Sequence, residues 1–160
     1  MSLKKPALDP ATIAPRGTSG YPEPYRSRVL PREKRALGDA LGLKRIGINQ
    51  TTLMPGKESS MRHWHTHEEE FVYVLSGEVV LVTDSGEQVL GAGMCAGFAP
   101  SADGKTGDGH QFVNRGSVPA VYLEISDRVP GDGAHYPDVD LVYHGDDAPH
   151  MYTRRDGSPF

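Results

Sequence analysis

From residue 70 onward the chain does not sustain a regular run for long. Short segments rich in β-branched and aromatic residues are cut every few positions by glycine, proline or aspartate. Glu70–Leu75 (EFVYVL) ends at Ser76-Gly77, and Val79–Thr83 (VVLVT) ends at Asp84-Ser85-Gly86, a strong hairpin signal. Glu87–Leu90, Met94–Phe98, Gln111–Asn114 and Ala120–Ser126 follow in the same style, with a polar, glycine-rich loop over 101–109. Upstream, Leu43–Leu53 and Met61–His65 read as strands, and downstream Asp140–His144 and His150–Thr153 do so across a Gly145-Asp146-Asp147 turn. Such punctuation excludes a helical bundle and predicts an all-β antiparallel sandwich or barrel. The 19 glycines and 13 prolines among 160 residues fit that reading. The VVLV run is apolar on both faces, as in a sheet covered on both sides.

The first 42 residues differ. Six of the prolines fall before residue 32, so little regular structure is expected there. We read residues 1–42 as an extended N-terminal arm, lying on the domain or on a second subunit, with a turn of helix over Arg32–Leu41. The barrel domain is assigned to 43–160. A net charge of −4 without a basic block disfavours nucleic acid and anionic membranes as partners. The single cysteine, Cys95, excludes an internal disulfide and is read as a small core residue. No apolar run approaches the ~18 residues of a membrane span, and the start, MSLKKPALDPATIAP, is not a secretory signal. A cytoplasmic location is the expectation.

Three of the seven histidines crowd into His63-Trp64-His65-Thr66-His67, followed by Glu68-Glu69-Glu70. Along a strand, residues two apart share a face, so His63 and His65 project together. Glu70 joins them if the chain turns at 66–69. His110 opens a strand after the glycine-rich loop and supplies a donor from elsewhere in the fold. Imidazole and carboxylate make the mixed nitrogen/oxygen sets that hold Zn, Mn, Fe, Ni or Cu. A lone histidine is more often a packing or surface residue; three at spaced positions with a glutamate point to a metal.

These segments resemble the cupins. The first cupin motif runs His-x-His, three or four residues, Glu, six residues, Gly, and His63, His65, Glu70 and Gly77 match it. The second ends in Gly-x-x-His-x-x-x-Asn, matched by Gly107, His110 and Asn114 after Gly93 and Pro100. The run HWHTHEEEFVYVLSGE and the YPDVDL tail are also similar to those of small single-domain bacterial cupins. The resemblance covers about residues 43–126 and implies a double-stranded β-helix, or jelly-roll barrel. It implies His63, His65, Glu70 and His110 as ligands of a divalent transition metal (Zn, Mn, Fe or Ni). Two departures stand out. Arg62 occupies a position where a histidine is often found, and extra residues enlarge the loop between Pro100 and Gly107.

The function expected is that of a metalloenzyme acting on a small, polar, oxygen-rich molecule by oxygenase, decarboxylase, isomerase or lyase chemistry. His67 or a cavity tyrosine such as Tyr122 would shuttle protons. The alternative is a non-catalytic binding or sensor module. Phe71, Tyr73, Phe112 and Tyr122 are read as core or cavity wall, Glu68 and Glu69 as solvated, and His135, Tyr136, His144 and His150 as surface or subunit contacts. The arm and the doubly apolar strand predict a homodimer.

Overall fold

The computed structural model describes residues 3–146 and 148–160. Met1, Ser2 and Asp147, the last residue of the expected 145–147 turn, lie outside the described residues. The described chain folds as antiparallel sheets with two five-residue helices, Tyr25–Val29 (α1) and Leu37–Leu41 (α2), and a 3₁₀ turn at Pro10–Thr12. Neither helix is long enough to cross a membrane.

The largest sheet contains β1 (Arg32–Ala36), β2 (Ile46–Leu53), β4 (Glu70–Ser76), β7 (Cys95–Phe98) and β9 (Ala120–Asp127), in the order β1-β2-β9-β4-β7. A second sheet, β6-β5-β8, is made from β5 (Glu78–Thr83), β6 (Gly86–Gly91) and β8 (Gln111–Val113). The two sheets close on a shared core. Leu53, Val72, Val74 and Tyr122 from the larger sheet meet Val79, Leu81 and Phe112 from the smaller one. This is the all-β double-stranded β-helix expected. The period-2 alternation of β4 explains the arrangement: Val72 and Val74 point inward and are buried, while Phe71, Tyr73 and Leu75 point outward and are exposed.

Several expectations are corrected. Arg32–Ala36 is a strand rather than the start of a helix, and pairs with β2 from Arg32↔Leu53 to Ala36↔Asn49. Its alternation of long charged side chains suits a strand presenting one face to a polar interior. Only Leu37–Leu41 coils, ending in the left-handed Gly42. Cys95 is exposed, since it pairs with Tyr73 on the outward register of β4. The same register puts Phe71 and Tyr73 outside the core.

The arm stays on its own domain. Arg16 pairs through its backbone with Lys34 at the edge of β1. Tyr21 and Val29 then pack with Met61, Ala134, Tyr136 and Leu141 in a second core. That core ties the arm to a small four-stranded sheet, β12-β11-β10-β3. Its strands are β3 (Trp64–His65), β10 (Ala134–His135), β11 (Val142–Tyr143) and β12 (Tyr152–Thr153).

Gly77 shows how tightly the sheets are joined. Its φ is +72°, and a β-carbon there would lie 2.8 Å from the Pro119 carbonyl oxygen and 2.9 Å from the Ala120 α-carbon. Both are backbone atoms and cannot swing aside. Gly77→Ala is therefore expected to lower stability by about 1–3 kcal/mol, read as a lower midpoint in urea unfolding; an unchanged midpoint would contradict the geometry.

Candidate metal centre

Two short pairings assemble the site. The backbones of His63 and His110 bond to each other in both directions, N–H to carbonyl, at 3.1 and 2.8 Å. This bridge brings the glycine-rich loop's histidine against the first histidine pair. His65 lies on β3, whose partner is Ala134 of β10. Glu70 opens β4, between Ser126 of β9 and Phe98 of β7. The reversal at 66–69 is fastened by two carboxylates. Asp132 Oδ1 accepts from the backbone N–H groups of His67 (2.8 Å) and Glu68 (3.1 Å) and from the Thr66 hydroxyl (3.2 Å). Asp127 Oδ1 accepts from the N–H of Glu69 at 2.9 Å.

Four donor atoms converge as a result. His63 Nε2 and His65 Nε2 lie 3.1 Å apart. Glu70 Oε2 lies 2.8 Å from His110 Nε2, 3.5 Å from His65 Nε2 and 3.8 Å from His63 Nε2. His63, Glu70 and His110 are close enough to one another to hold a single divalent ion, and His65 Nε2 adjoins His63 and Glu70 at its edge.

The proton positions strengthen that fit. His63 Nδ1 is 2.9 Å from the Met61 carbonyl, which can only accept, so Nδ1 carries the proton. His65 Nδ1 is 2.6 Å from Asp132 Oδ2 and donates to it in the same way. That leaves His63 Nε2 bare, facing His65 Nε2 beside a carboxylate. A cation satisfies this arrangement, as does a second proton on His65, where burial opposes the charge but Asp132 and Glu70 outweigh it and raise the pKa. Burial, with His110 close by, pushes the His63 pKa down to about 3, so the added proton is disfavoured there and the ring is ready to ligate. Burial raises the Glu70 carboxyl, but the His110 hydrogen bond and the surrounding imidazoles outweigh it and hold Glu70 below the usual carboxylate range. Asp132 is likewise drawn down to about 2, burial being outweighed by His65 and by its backbone donors.

His110 is held differently. Its ring lies 3.6 Å from the Phe98 ring at an interplanar angle of 6°, and its buried Nδ1 has no partner among the described residues. Packing on Phe98 and the Nε2 contact with Glu70 orient it, with nothing holding Nδ1. Trp64, on the opposite face of β3, stacks on His135 at 4.5 Å. A β-carbon at Gly107 would fall 2.7 Å from Trp64 Cγ, so the motif glycine is the residue that lets the loop close over that ring.

The structure brings His63, Glu70 and His110 together and sets His65 beside His63 and Glu70, where it also faces Glu68 and Asp132. It leaves His67 and Tyr122 outside the cavity lining. His67 is exposed, with its Nδ1 on the Thr66 hydroxyl at 2.8 Å. Tyr122 is fully buried in the core beneath the cavity residues. Asn114 is a structural member of its motif: its amide donates to the carbonyls of Leu53 and Val118 and its oxygen accepts from Gly116. Arg62 clamps Asp138 and Asp84 rather than a ligand. Tyr136 is buried and stacked on His63 at 5.6 Å, not a surface residue. Glu68 is half-buried and its carboxyl is pushed up to about 7, chiefly by burial, with His65 opposing the rise.

Several residues at the centre were not singled out in the sequence. Asp132 sits between two glycines in VPGDG, a signal only of a turn. Tyr21, Arg32, Lys34, Glu124 and Tyr152 line a cavity of about 180 Å³ beside the donors. Tyr21, Lys34, His63 and Tyr152 also border a wider cleft of about 1100 Å³.

Residues 49–126 match the Cupin domain family. A sugar phosphate isomerase of the cupin superfamily from Silicibacter pomeroyi is 41% identical, over 97% of this chain and 96% of that one, with a TM-score of 0.89. The chain is a member of the cupin superfamily. A further solved cupin-like structure, a putative sugar phosphate isomerase from Acidithiobacillus ferrooxidans, is 35% identical over 71% of this chain and 69% of that one, with a TM-score of 0.65. A predicted oxalate decarboxylase from Thermotoga maritima, 21% identical with a TM-score of 0.60, shares the fold. No curated protein matches the chain. All four donors of this cupin lie within the matched segment, whereas Arg32, Asp132 and Tyr152 lie outside it.

Two outcomes test the centre. Replacing His65 or His110 with alanine is expected to abolish loading of Zn, Mn, Fe or Ni, measured by elemental analysis. Asp132→Asn keeps the shape but weakens the acceptor that holds the His65 proton, and is expected to lower metal affinity about 10–100-fold; unchanged affinity by competition with a chelator would refute that role.

Proposed function

We propose that this cupin is a metal-dependent enzyme that isomerises a small sugar phosphate or a closely similar oxygen-rich molecule. The observation that carries the reading is one cavity lined by His63, Glu70 and His110, with His65 Nε2 3.1 Å behind His63 Nε2, and by a separate carboxylate, Glu124, positioned by Lys34 at 2.6 Å. The similarity to a 41% identical sugar phosphate isomerase supports the same choice among cupin reactions.

Aldose–ketose interconversion moves one proton between adjacent carbons and one between their oxygens. Held at the four donors, a divalent ion would supply polarisation of those two oxygens. Glu124 is placed to take the proton from C2 and return it to C1, with Lys34 holding the carboxylate in place. Tyr152 lines the same cavity, and burial pushes its hydroxyl well above the usual tyrosine value, so it stays protonated and acts as a donor to a substrate oxygen. Tyr21, with its hydroxyl 3.3 Å from that of Tyr136, closes the cavity from the arm side and limits water entry. This assignment moves the proton-transfer role from His67 and Tyr122 to residues that border the donors.

Glu124→Gln keeps the shape and removes the base. It is expected to lower kcat about 10²–10⁴-fold with little change in KM, and to stop exchange of the substrate C2 hydrogen into deuterated water. The screen covers aldose and ketose phosphates on the Mn, Fe, Ni and Zn forms. Tight binding with no exchange on any of them would favour the sensor reading instead.

The oligomeric reading is a homodimer. Phe71, Tyr73 and Leu75 leave an apolar stripe on the outer face of the five-stranded sheet, with Met94 beside it. Light scattering at micromolar concentration is expected to give twice the 17.4 kDa of one chain; a single-chain mass would overturn it.

A further inference from the structure

Every charged group around the cavity has a counter-charge except one. Glu124 is paired with Lys34, and Glu70 with the histidines. Arg32 forms no ion pair among the described residues, yet it is buried to 9% exposure and lines the cavity. Its Nη1 donates to the Ser59 carbonyl, and its Nε is sealed from solvent with no partner. A guanidinium withdrawn from water without a carboxylate is energetically expensive and is seldom left so. Arg32 and Lys34 are two apart on β1, so both project from one face of the strand. Around them are further donors: Ser60, whose hydroxyl is 3.3 Å from that of Ser59, and the Ser19 and Tyr21 region of the arm. The two carboxylates that line the cavity, Glu70 and Glu124, are already engaged by His110 and Lys34.

We propose that Arg32 marks a subsite on the wall of the metal cavity for the anionic oxygen group of the substrate, a phosphate or a carboxylate. A guanidinium fork matches either group, and the charge-assisted bonds it makes are stronger in a site shielded from water. The subsite would anchor one end of the substrate while its other oxygens lie at the donor set. Anchoring at a distance from the reacting atoms fixes their orientation and makes the reaction effectively intramolecular. The proposal rests on the small-molecule enzyme reading, but its test does not depend on turnover.

Inorganic phosphate and acetate are titrated separately, by calorimetry, into the full-length protein without metal and with it. Saturable binding of one of them to the metal-free protein is expected, and the preferred anion identifies which group the subsite takes. Arg32→Gln should weaken that binding about 10–100-fold with metal content unchanged. Should Arg32→Gln fail to fold, Arg32→Lys keeps the charge without the fork and should weaken binding several-fold. Ser60→Ala leaves the Ser59 contact intact and should weaken it less. Binding of neither anion, or equal binding by wild type and the Arg32 variants, overturns the proposal. A His65→Ala variant that loses metal yet still binds the anion separates the two readings: that result would leave the subsite standing even if the isomerase assignment failed.

Discussion

Two imidazole Nε2 atoms facing each other at 3.1 Å beside the Glu70 carboxylate set the terms for this structure. The protons of His63 and His65 are drawn to the far side of each ring, by a backbone carbonyl and by Asp132. What remains is a concentration of lone pairs around Glu70 that a cation satisfies. The strand pairings around it exist to hold that arrangement against its own repulsion. The His63–His110 bridge fixes one side, β3 on β10 fixes the other, and Asp132 fastens both the ring of His65 and the turn that brings Glu70 back. A single carboxylate therefore orients a ligand and shapes the loop, which couples metal affinity to the fold of the 66–69 turn.

The inner face of the large sheet changes character along its length. Val72, Val74 and Leu53 fill one part and close the core with the smaller sheet. Glu70, Arg32, Lys34 and Glu124 occupy another and leave a cavity. Burial of charge is tolerated there because Glu70, Lys34 and Glu124 are ion-paired, whereas Arg32 has no carboxylate partner among the described residues. The flanks complete the site. Tyr21 comes from the arm and Tyr152 from the last strand, and both lie outside the segment matched to the cupin domain. The common barrel supplies the donors, and this chain's additions supply the walls that determine what can sit beside them.

The barrel was legible in the sequence because it follows local periodicity, and the candidate donors because they fall on the cupin motifs the chain resembles. Strand-and-turn punctuation predicts the sheets, and the spacing of His63, His65, Glu70 and His110 carries the metal set. Arg32–Ala36 was not legible: a run of charged residues reads as a solvated helix unless its neighbour strand is known, and β2 provides the partner that makes it a strand. The register of β4 likewise decides that Phe71, Tyr73 and Cys95 face outward, since apolar side chains alone do not say which face is covered.

By itself, then, the sequence determined the class of fold and, through its cupin motifs, pointed to four candidate donors, since these depend on residues close together or on motifs. The tertiary structure alone decided the rest of the site. Asp132 stands 67 residues from His65, and Glu124 and Arg32 lie on strands far apart in the chain from the histidines they accompany. Contacts of that separation are set by how sheets close and not by local propensity. For the same reason His67, adjacent to the ligands in sequence, ends outside the cavity: the turn held by Asp132 that brings Glu70 back leaves its side chain in solvent.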